Sequence, residues 1–302
     1  MYSIKQKPED FVVNEISNIR LKDKGAYSVF LLKKRDYSTE KAVQAIAQKL
    51  RIPRKVIGYA GNKDKVALTT QYISIKNGGI KEIVLKDIDL EFKGYSDKPI
   101  CLGDLDGNEF IIKVITDKKP NKIERIVNYF GEQRFSVNNK DIGKALIKKD
   151  FEKAVDFIIQ NGGEQAEQLK KYLVEKENDY IGALRKIPLK ILKLYVHAYQ
   201  SYLWNEMAKL RVNVVEQNEK IAIIGFGTEL TKEIDSVLGK EELSLRDFII
   251  RQIPELTAEG SERDLFVEII DLSIKKIEKG YLLTFKLKKG SYATEAINQM
   301  FC

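Results

Sequence analysis

Residues 58–71 read GYAGNKDKVALTTQ, and the way this stretch is read decides the architecture of the first third of the chain. A short apolar run, Val56-Ile57-Gly58-Tyr59-Ala60, leads into it, and the β-rich segment TTQYISI (69–75) leads out. Gly61, Asn62, Lys63 and Asp64 are turn formers, so the pattern predicts a strand, a tight turn and a second strand. Working outward, FVVNEI (11–16) and AYSVFLLKK (26–34) predict two earlier strands, and NEFIIKVIT (108–116) predicts a later one. STEKAVQAIAQKL (38–50) carries Ala42, Val43, Ile46, Ala47 and Leu50 at helical spacing. Ser38 or Thr39 supplies a hydroxyl cap, and Pro53 lies beyond the end.

Helical spacing returns over 121–130 through Ile123, Ile126, Val127 and Phe130, and it dominates from about 150 to 210. Strands reappear at KIAIIG (220–225), VEIIDLSI (267–274) and GYLLTFKL (280–287). The order is β-rich, helical, then β-rich again, which predicts an α/β (α+β) sheet domain interrupted by a helical insertion. A chain of 302 residues is long enough for one large domain or two of moderate size. It contains no internal repeat and no low-complexity tract.

Composition removes several classes of chemistry. His197 is the only histidine, so Ser-His-Asp triads, HExxH zinc sites and His-rich metal sites are mostly excluded, and no metal or other cofactor is expected. Cys101 and Cys302 form neither a CxxC pair nor a disulfide framework, so a reducing cytoplasm is the expected location. No apolar run reaches the roughly 18 residues that span a bilayer, and no membrane partner is expected. The net charge of +8 favours a polyanionic partner, with nucleic acid ahead of membrane. Catalysis would then fall to carboxylates, Lys, Arg, Tyr or hydroxyls.

Each candidate motif has an ordinary reading beside the chemical one. GNKDK resembles the guanine-reading NKxD, but its Asp comes one residue early and no GxxxxGK[ST] loop exists. IAIIGFGTEL (221–230) has Gly225 and Gly227 of a dinucleotide fingerprint, but Leu230 stands at the third glycine, so it reads as a turn between strands. HAYQSYLWN (197–205) reads as a core-packing helix. Asp64 reads locally as a solvated turn residue, although Lys63 and Lys65 beside it favour the ionised form that a nucleophile needs. NYFGEQRF (128–135) combines two aromatics, an amide and an Arg, the mixture that stacks a base, reads its edge and holds a phosphate. Lys33-Lys34-Arg35, Lys118-Lys119 and Lys288-Lys289 read as solvated faces that together could bind phosphate.

Taken together, KPEDFVVNE, GYAGNKDKVALTTQ, NYFGEQRF, AYQSYLWN and FKLKKGSYAT resemble, in order and approximate spacing, the TruD-type tRNA pseudouridine synthases. The resemblance runs from residue 4 to about 298 and is weaker within 150–265. It implies a catalytic domain with a large mixed, mainly antiparallel sheet flanked by helices, formed by 1–153 and 265–302, with a helix-rich TRUD domain inserted at 154–264. It further implies an isomerase that turns uridine into pseudouridine in tRNA, usually at position 13, with tRNA as the partner and no obligate protein partner. Asp64 falls on the family's nucleophilic aspartate, Lys5 on its basic partner and Phe130 on the aromatic that packs against the target base. Phe11, Asn128 and Tyr292 fall on the substrate-contacting positions. Ser136, Lys288 and Val66 depart from the usual residues at their positions, none of them at Asp64. A non-catalytic tRNA-binding or RNA-chaperone protein on the same fold is the alternative, which the retained GNKD turn disfavours.

Overall fold

The computed structural model of the chain describes residues 2–77, 83–215 and 217–302. The first part holds β1 (Phe11–Ile16), β2 (Tyr27–Arg35), α1 (Thr39–Leu50), β3 (Ile57–Tyr59), β4 (Leu68–Lys76), β5 (Ile83–Leu85), β6 (Ile88–Ser96) and β7 (Gly107–Val114). After β8 (Arg125–Val127) come α2 (Asn139–Ile147), α3 (Phe151–Asn161), α4 (Gly163–Glu175), α5 (Tyr180–Leu184) and α6 (Leu189–Arg211). Then follow β9 (Lys220–Ile223), α7 (Lys232–Lys240), β10 (Ser261–Asp264), β11 (Phe266–Glu268), β12 (Ile270–Ile277), β13 (Gly280–Lys288) and α8 (Ala293–Met300). By compactness the chain divides into a discontinuous unit, Met1–Ile126 with Glu268–Cys302, and a second unit, Val127–Val267.

The discontinuous unit is built on a nine-stranded sheet in the order β12-β13-β7-β1-β4-β2-β6-β5, with β3 also paired to β4. Among the described residues, β1 and β4 form the one parallel pair of this sheet and its other pairs are antiparallel. This is the large, mainly antiparallel sheet that the family resemblance implies. α1 forms where expected, because the Ser38 hydroxyl caps the Lys41 N–H and Arg51 closes the helix in a left-handed turn. Its Ala42, Val43, Ile46 and Ala47 pack on Phe30, Leu32, Ile57, Ile73 and Ile75 of the sheet. α8 buries Ala293, Ala296, Ile297 and Met300.

Successive strand residues face opposite sides, so Phe11, Val13 and Glu15 share the buried face of β1, and Phe30, Leu32 and Lys34 that of β2. Thr69, Gln71, Ile73 and Ile75 do the same in β4. That face is apolar until it reaches Glu15, Lys34, Thr69 and Gln71. These polar residues gather at one end of three neighbouring strands.

One predicted helix does not form. Residues 121–130 carry helical spacing, yet Arg125–Val127 is a strand and the following residues are extended. The backbone groups that a helix would use internally go elsewhere: Asn128 N–H donates to Leu265 O at 2.8 Å, and Ile269 N–H to Glu124 O at 2.8 Å. Four apolar residues in a ten-residue window are too few to outweigh those partners.

The second unit is helical around one apolar core, with Trp204, Tyr199, Leu203 and Leu192 of α6 at its centre. α2 lies against α6 so closely that a Cβ on Gly143 would fall 2.1 Å from the Tyr195 carbonyl oxygen. Gly143→Ala gains about 1 kcal/mol of helix propensity. The backbone overlap it forces exceeds that gain, because α2 or α6 must move. Chemical denaturation should show Gly143→Ala net destabilised by about 1–3 kcal/mol; equal or greater stability would contradict this packing.

Candidate active site

The GNKD loop joins β3 to β4 beside the end of β1. Both β1 and β3 pair with the same edge of β4, β1 at Leu68–Thr70 and β3 at Ile73–Ile75. The Tyr72 N–H left between them donates to Glu15 Oε1 at 3.2 Å. The other carboxylate oxygen, Oε2, accepts from Lys63 Nζ at 2.6 Å, and the two side chains are 0% and 4% exposed. Lys63 N–H donates to Thr39 Oγ1 at 2.9 Å, and Thr39 Oγ1 donates to Gln71 Oε1 at 2.9 Å. Gln71 Nε2 then donates to Gly61 O at 3.0 Å, closing the network. Side chains from β1, α1 and β4 therefore hold the loop at the Lys63 ammonium, the Lys63 N–H and the Gly61 carbonyl.

Lys34 of β2 holds the fourth point. Its Nζ donates to Asp64 O at 2.8 Å and to Tyr37 O at 2.5 Å. It is 1% exposed. Burial pushes its pKa down to about 8; the Asp64 carboxylate opposes that shift and Lys63 adds to it. Lys34 is thus a buried anchor rather than part of a solvated charge run. The strand period that places it on the face of Phe30 and Leu32 is the signal that identifies it.

With the backbone fixed, the Asp64 side chain turns to the surface and meets Lys5, Nζ to Oδ2 at 3.2 Å, the two being 24% and 27% exposed. The Lys5 ammonium also lies 4.0 Å from the centre of the Phe11 ring, on its face. Lys5 adopts φ +58, a left-handed conformation that costs a lysine on the order of 1 kcal/mol and aims it at Asp64. The Lys7–Asp10 turn, closed by Asp10 N–H to Lys7 O and Lys7 N–H to Asp10 Oδ2, delivers Phe11 to the start of β1. Three of the six expected site residues, Lys5, Phe11 and Asp64, therefore meet in one contact. Of the two lysines that flank Asp64, Lys63 is committed to Glu15 and Lys65 is exposed. Tyr292, half-buried, stands at the N-cap of α8.

Asn128 and Phe130 lie in the second unit and share one partner that the sequence reading missed, Arg263 of β10. Arg263 Nη2 donates to Asn128 Oδ1 at 2.6 Å, and its Nε donates to Asn128 O at 2.9 Å. Its guanidinium carbon lies 4.2 Å from the centre of the Phe130 ring. Asn128 Nδ2 donates to Asp264 O at 3.1 Å, which leaves one amide proton and one oxygen lone pair for a ligand. Phe130 is clamped through its backbone by Asn205, which accepts from Phe130 N–H at 2.9 Å and donates to Phe130 O at 3.0 Å. Trp204 meets the Phe130 ring edge-on, with centroids 5.6 Å apart. The core-packing helix thus doubles as the support for Phe130. Among the described residues no group of three or more His, Cys, Asp or Glu is placed to hold a metal ion, and no helix is long and apolar enough to cross a membrane.

Between pH 8 and the ordinary lysine value, the unfolded chain binds a proton at Lys34 that the folded chain has released. The folded state therefore gains stability as pH rises through that window. Comparing denaturation of the wild type and Lys34→Met at pH 7 and pH 10 should reveal a difference on the order of 2 kcal/mol in the pH dependence. Identical pH profiles would refute the buried, charge-strained lysine.

A family model described as tRNA pseudouridine synthase D (TruD) matches residues 2–171, 164–222 and 221–299. The chain is 33% identical to a Nanoarchaeum equitans protein named "Probable tRNA pseudouridine synthase D", over 99% of this chain and 98% of that one. It is 30% identical to the tRNA pseudouridine synthase D of Aquifex aeolicus, over 99% and 98%. A crystal structure titled as a tRNA pseudouridine synthase D (TruD) from Methanosarcina mazei superposes with a TM-score of 0.74 at 26% identity, covering 99% of this chain and 93% of that one. Coverage from end to end, on a sheet that holds an aspartate–lysine pair over a phenylalanine, leaves one assignment: the chain belongs to the TruD family of tRNA pseudouridine synthases.

Proposed function

We propose that Asp64 is the carboxylate on which this tRNA pseudouridine synthase depends, with Lys5 as its charge partner. Pseudouridine formation is an isomerisation: the bond from N1 of the base to C1′ of the ribose breaks, the base turns, and C5 bonds to C1′. C5 loses its proton and N1 gains one, so no oxidant and no second substrate enter the balance. An ionised Asp64 serves either by attacking C1′ or by taking a proton from the sugar. The observation that carries this reading is the contact of Lys5 with Asp64 at 3.2 Å, above the Phe11 ring, on a loop held by side chains of β1, β2, α1 and β4.

Base handling is assigned to the second group. Phe130 offers a ring for the uracil, and Asn128 has one proton and one lone pair for its edge. Phe11 and Tyr292 are assigned to substrate contact in this reading. A target base must leave its stack to be reached, which is why aromatic residues are needed. The reading extends to the uridine at position 13, to a TRUD domain at 154–264 within the helical unit, and to a cytoplasmic location. Cys101 and Cys302 are both free and exposed, as a reducing compartment allows.

The test is tritium release from C5-labelled uridine in tRNA, together with mapping of pseudouridine in the product. Asp64→Asn, which changes one atom of the side chain, should lower turnover by roughly 10⁴-fold or more while leaving the fold intact. Turnover near wild type would end the assignment. Modification at a position other than 13 would correct the site while sparing the chemistry.

A further inference from the structure

The Gly225-Phe226-Gly227 turn, which resembles half of a dinucleotide fingerprint, plays no part in the candidate site. The structure shows what it builds. Phe226 N–H donates to Ala258 O at 2.7 Å, and Gly260 N–H donates to Phe226 O at 2.9 Å. The Thr228 hydroxyl accepts from Gly225 N–H at 2.9 Å. Gly227 adopts φ +80, and a Cβ on Gly225 would fall 2.5 Å from the Glu259 carbonyl carbon. Both glycines are therefore required by the turn, and the backbone is firmly held. On it the Phe226 ring stands 47% exposed.

That ring lines a hollow of about 440 Å³ together with Lys149, Arg246, Ile249, Arg251 and Gln252. The volume falls in the roughly 300–1,000 Å³ range of small-ligand sites. Lys149 Nζ is held by Asp247, through its carbonyl at 2.8 Å and Oδ1 at 2.9 Å, so this pair is neutral. Arg246 and Arg251 are exposed, and among the described residues neither guanidinium has a hydrogen-bond or ion-pair partner, nor has Phe226 a ring partner. No carboxylate lines the hollow. Two uncommitted guanidinium groups and a rigidly mounted, exposed ring are the elements that bind single-stranded nucleic acid: cations for the phosphates and a π-face for the base.

We infer that this hollow binds one unstacked nucleotide of the RNA substrate, separate from the reacting uridine, with its base on Phe226 and its phosphates on Arg246 and Arg251. The inference rests on the tRNA reading above. One exposed ring is too little apolar surface for a stable protein interface. The chain's charge of +8 points to the same polyanion.

The test measures affinity for an unmodified tRNA transcript by fluorescence anisotropy over a salt titration, alongside kcat and KM for pseudouridine formation. Phe226→Ala and Phe226→Leu should each weaken binding by about 5- to 150-fold, the Leu variant keeping the apolar cover and losing the aromatic face. Arg246→Ala/Arg251→Ala should flatten the dependence of log K on log salt by roughly 1.4, the loss of two single-strand phosphate contacts. In all three variants KM should rise while kcat at saturating tRNA stays at the wild-type value. Wild-type affinity and salt slope would overturn the inference. So would an unchanged tRNA affinity accompanied by altered sedimentation of the protein, which would make the surface a contact between proteins. Binding is read without turnover, so a chain that makes no pseudouridine would sink the catalytic reading and leave this test intact.

Discussion

The buried ion pair between Lys63 and Glu15 is the constraint on which the loop that carries Asp64 depends. Taking two charges out of water costs several kcal/mol per ion, and only close, complete hydrogen bonding offsets that. Here the contact is 2.6 Å, and the second Glu15 oxygen takes the Tyr72 N–H, which lies on β4 between the stretches paired with β1 and β3. Losing either partner would strand the other charge at a cost of about 3–5 kcal/mol. A loop so anchored has one register. Once Lys63 points inward, its neighbour Asp64 is turned to the surface, where it finds Lys5. The geometry of the Asp64 carboxylate follows from a residue that faces away from it.

Most of the framework was legible in the sequence because its causes are local. Strand alternation marks β1, β2, β4, β7 and β13, and a capped amphipathic run marks α1. The order of strands in the sheet is another matter. β4 sits between β1 and β2 because of long-range pairing that no window of sequence contains. The same limit explains the helix wrongly expected at 121–130, where partners at Leu265 and Ile269 decide the backbone.

The site was legible in its residues and illegible in its wiring. Asp64 lies far along the chain from Lys5 and Phe11, yet their motifs are ordered and specific. Their contact confirms none of the chemistry, but it makes one arrangement of it physically coherent. What the motifs hide is the polar support. Glu15 and Lys34 look like ordinary charges on half-exposed strands, and only the period-two argument puts them on the core face. Arg263, more than a hundred residues from Asn128, carries no local signal. It is nevertheless the side chain that binds Asn128 twice and covers one face of Phe130.

These observations sort the cations of a basic protein by environment. Lys34 and Lys63 are buried and spend their protons on loop carbonyls and a carboxylate, so neither can meet a phosphate. Lys5 is divided between Asp64 and the Phe11 ring, and Arg263 between Asn128 and the Phe130 and Trp204 rings. Net charge counts all of them equally, although their work is internal. A phosphate backbone can be gripped only by cations that are exposed and uncommitted, which is the condition Arg246 and Arg251 meet. The net charge sums both kinds of cation, but only the exposed and uncommitted ones can hold the polyanion it implies. Burial and existing partners, rather than sequence runs of Lys and Arg, separate the two.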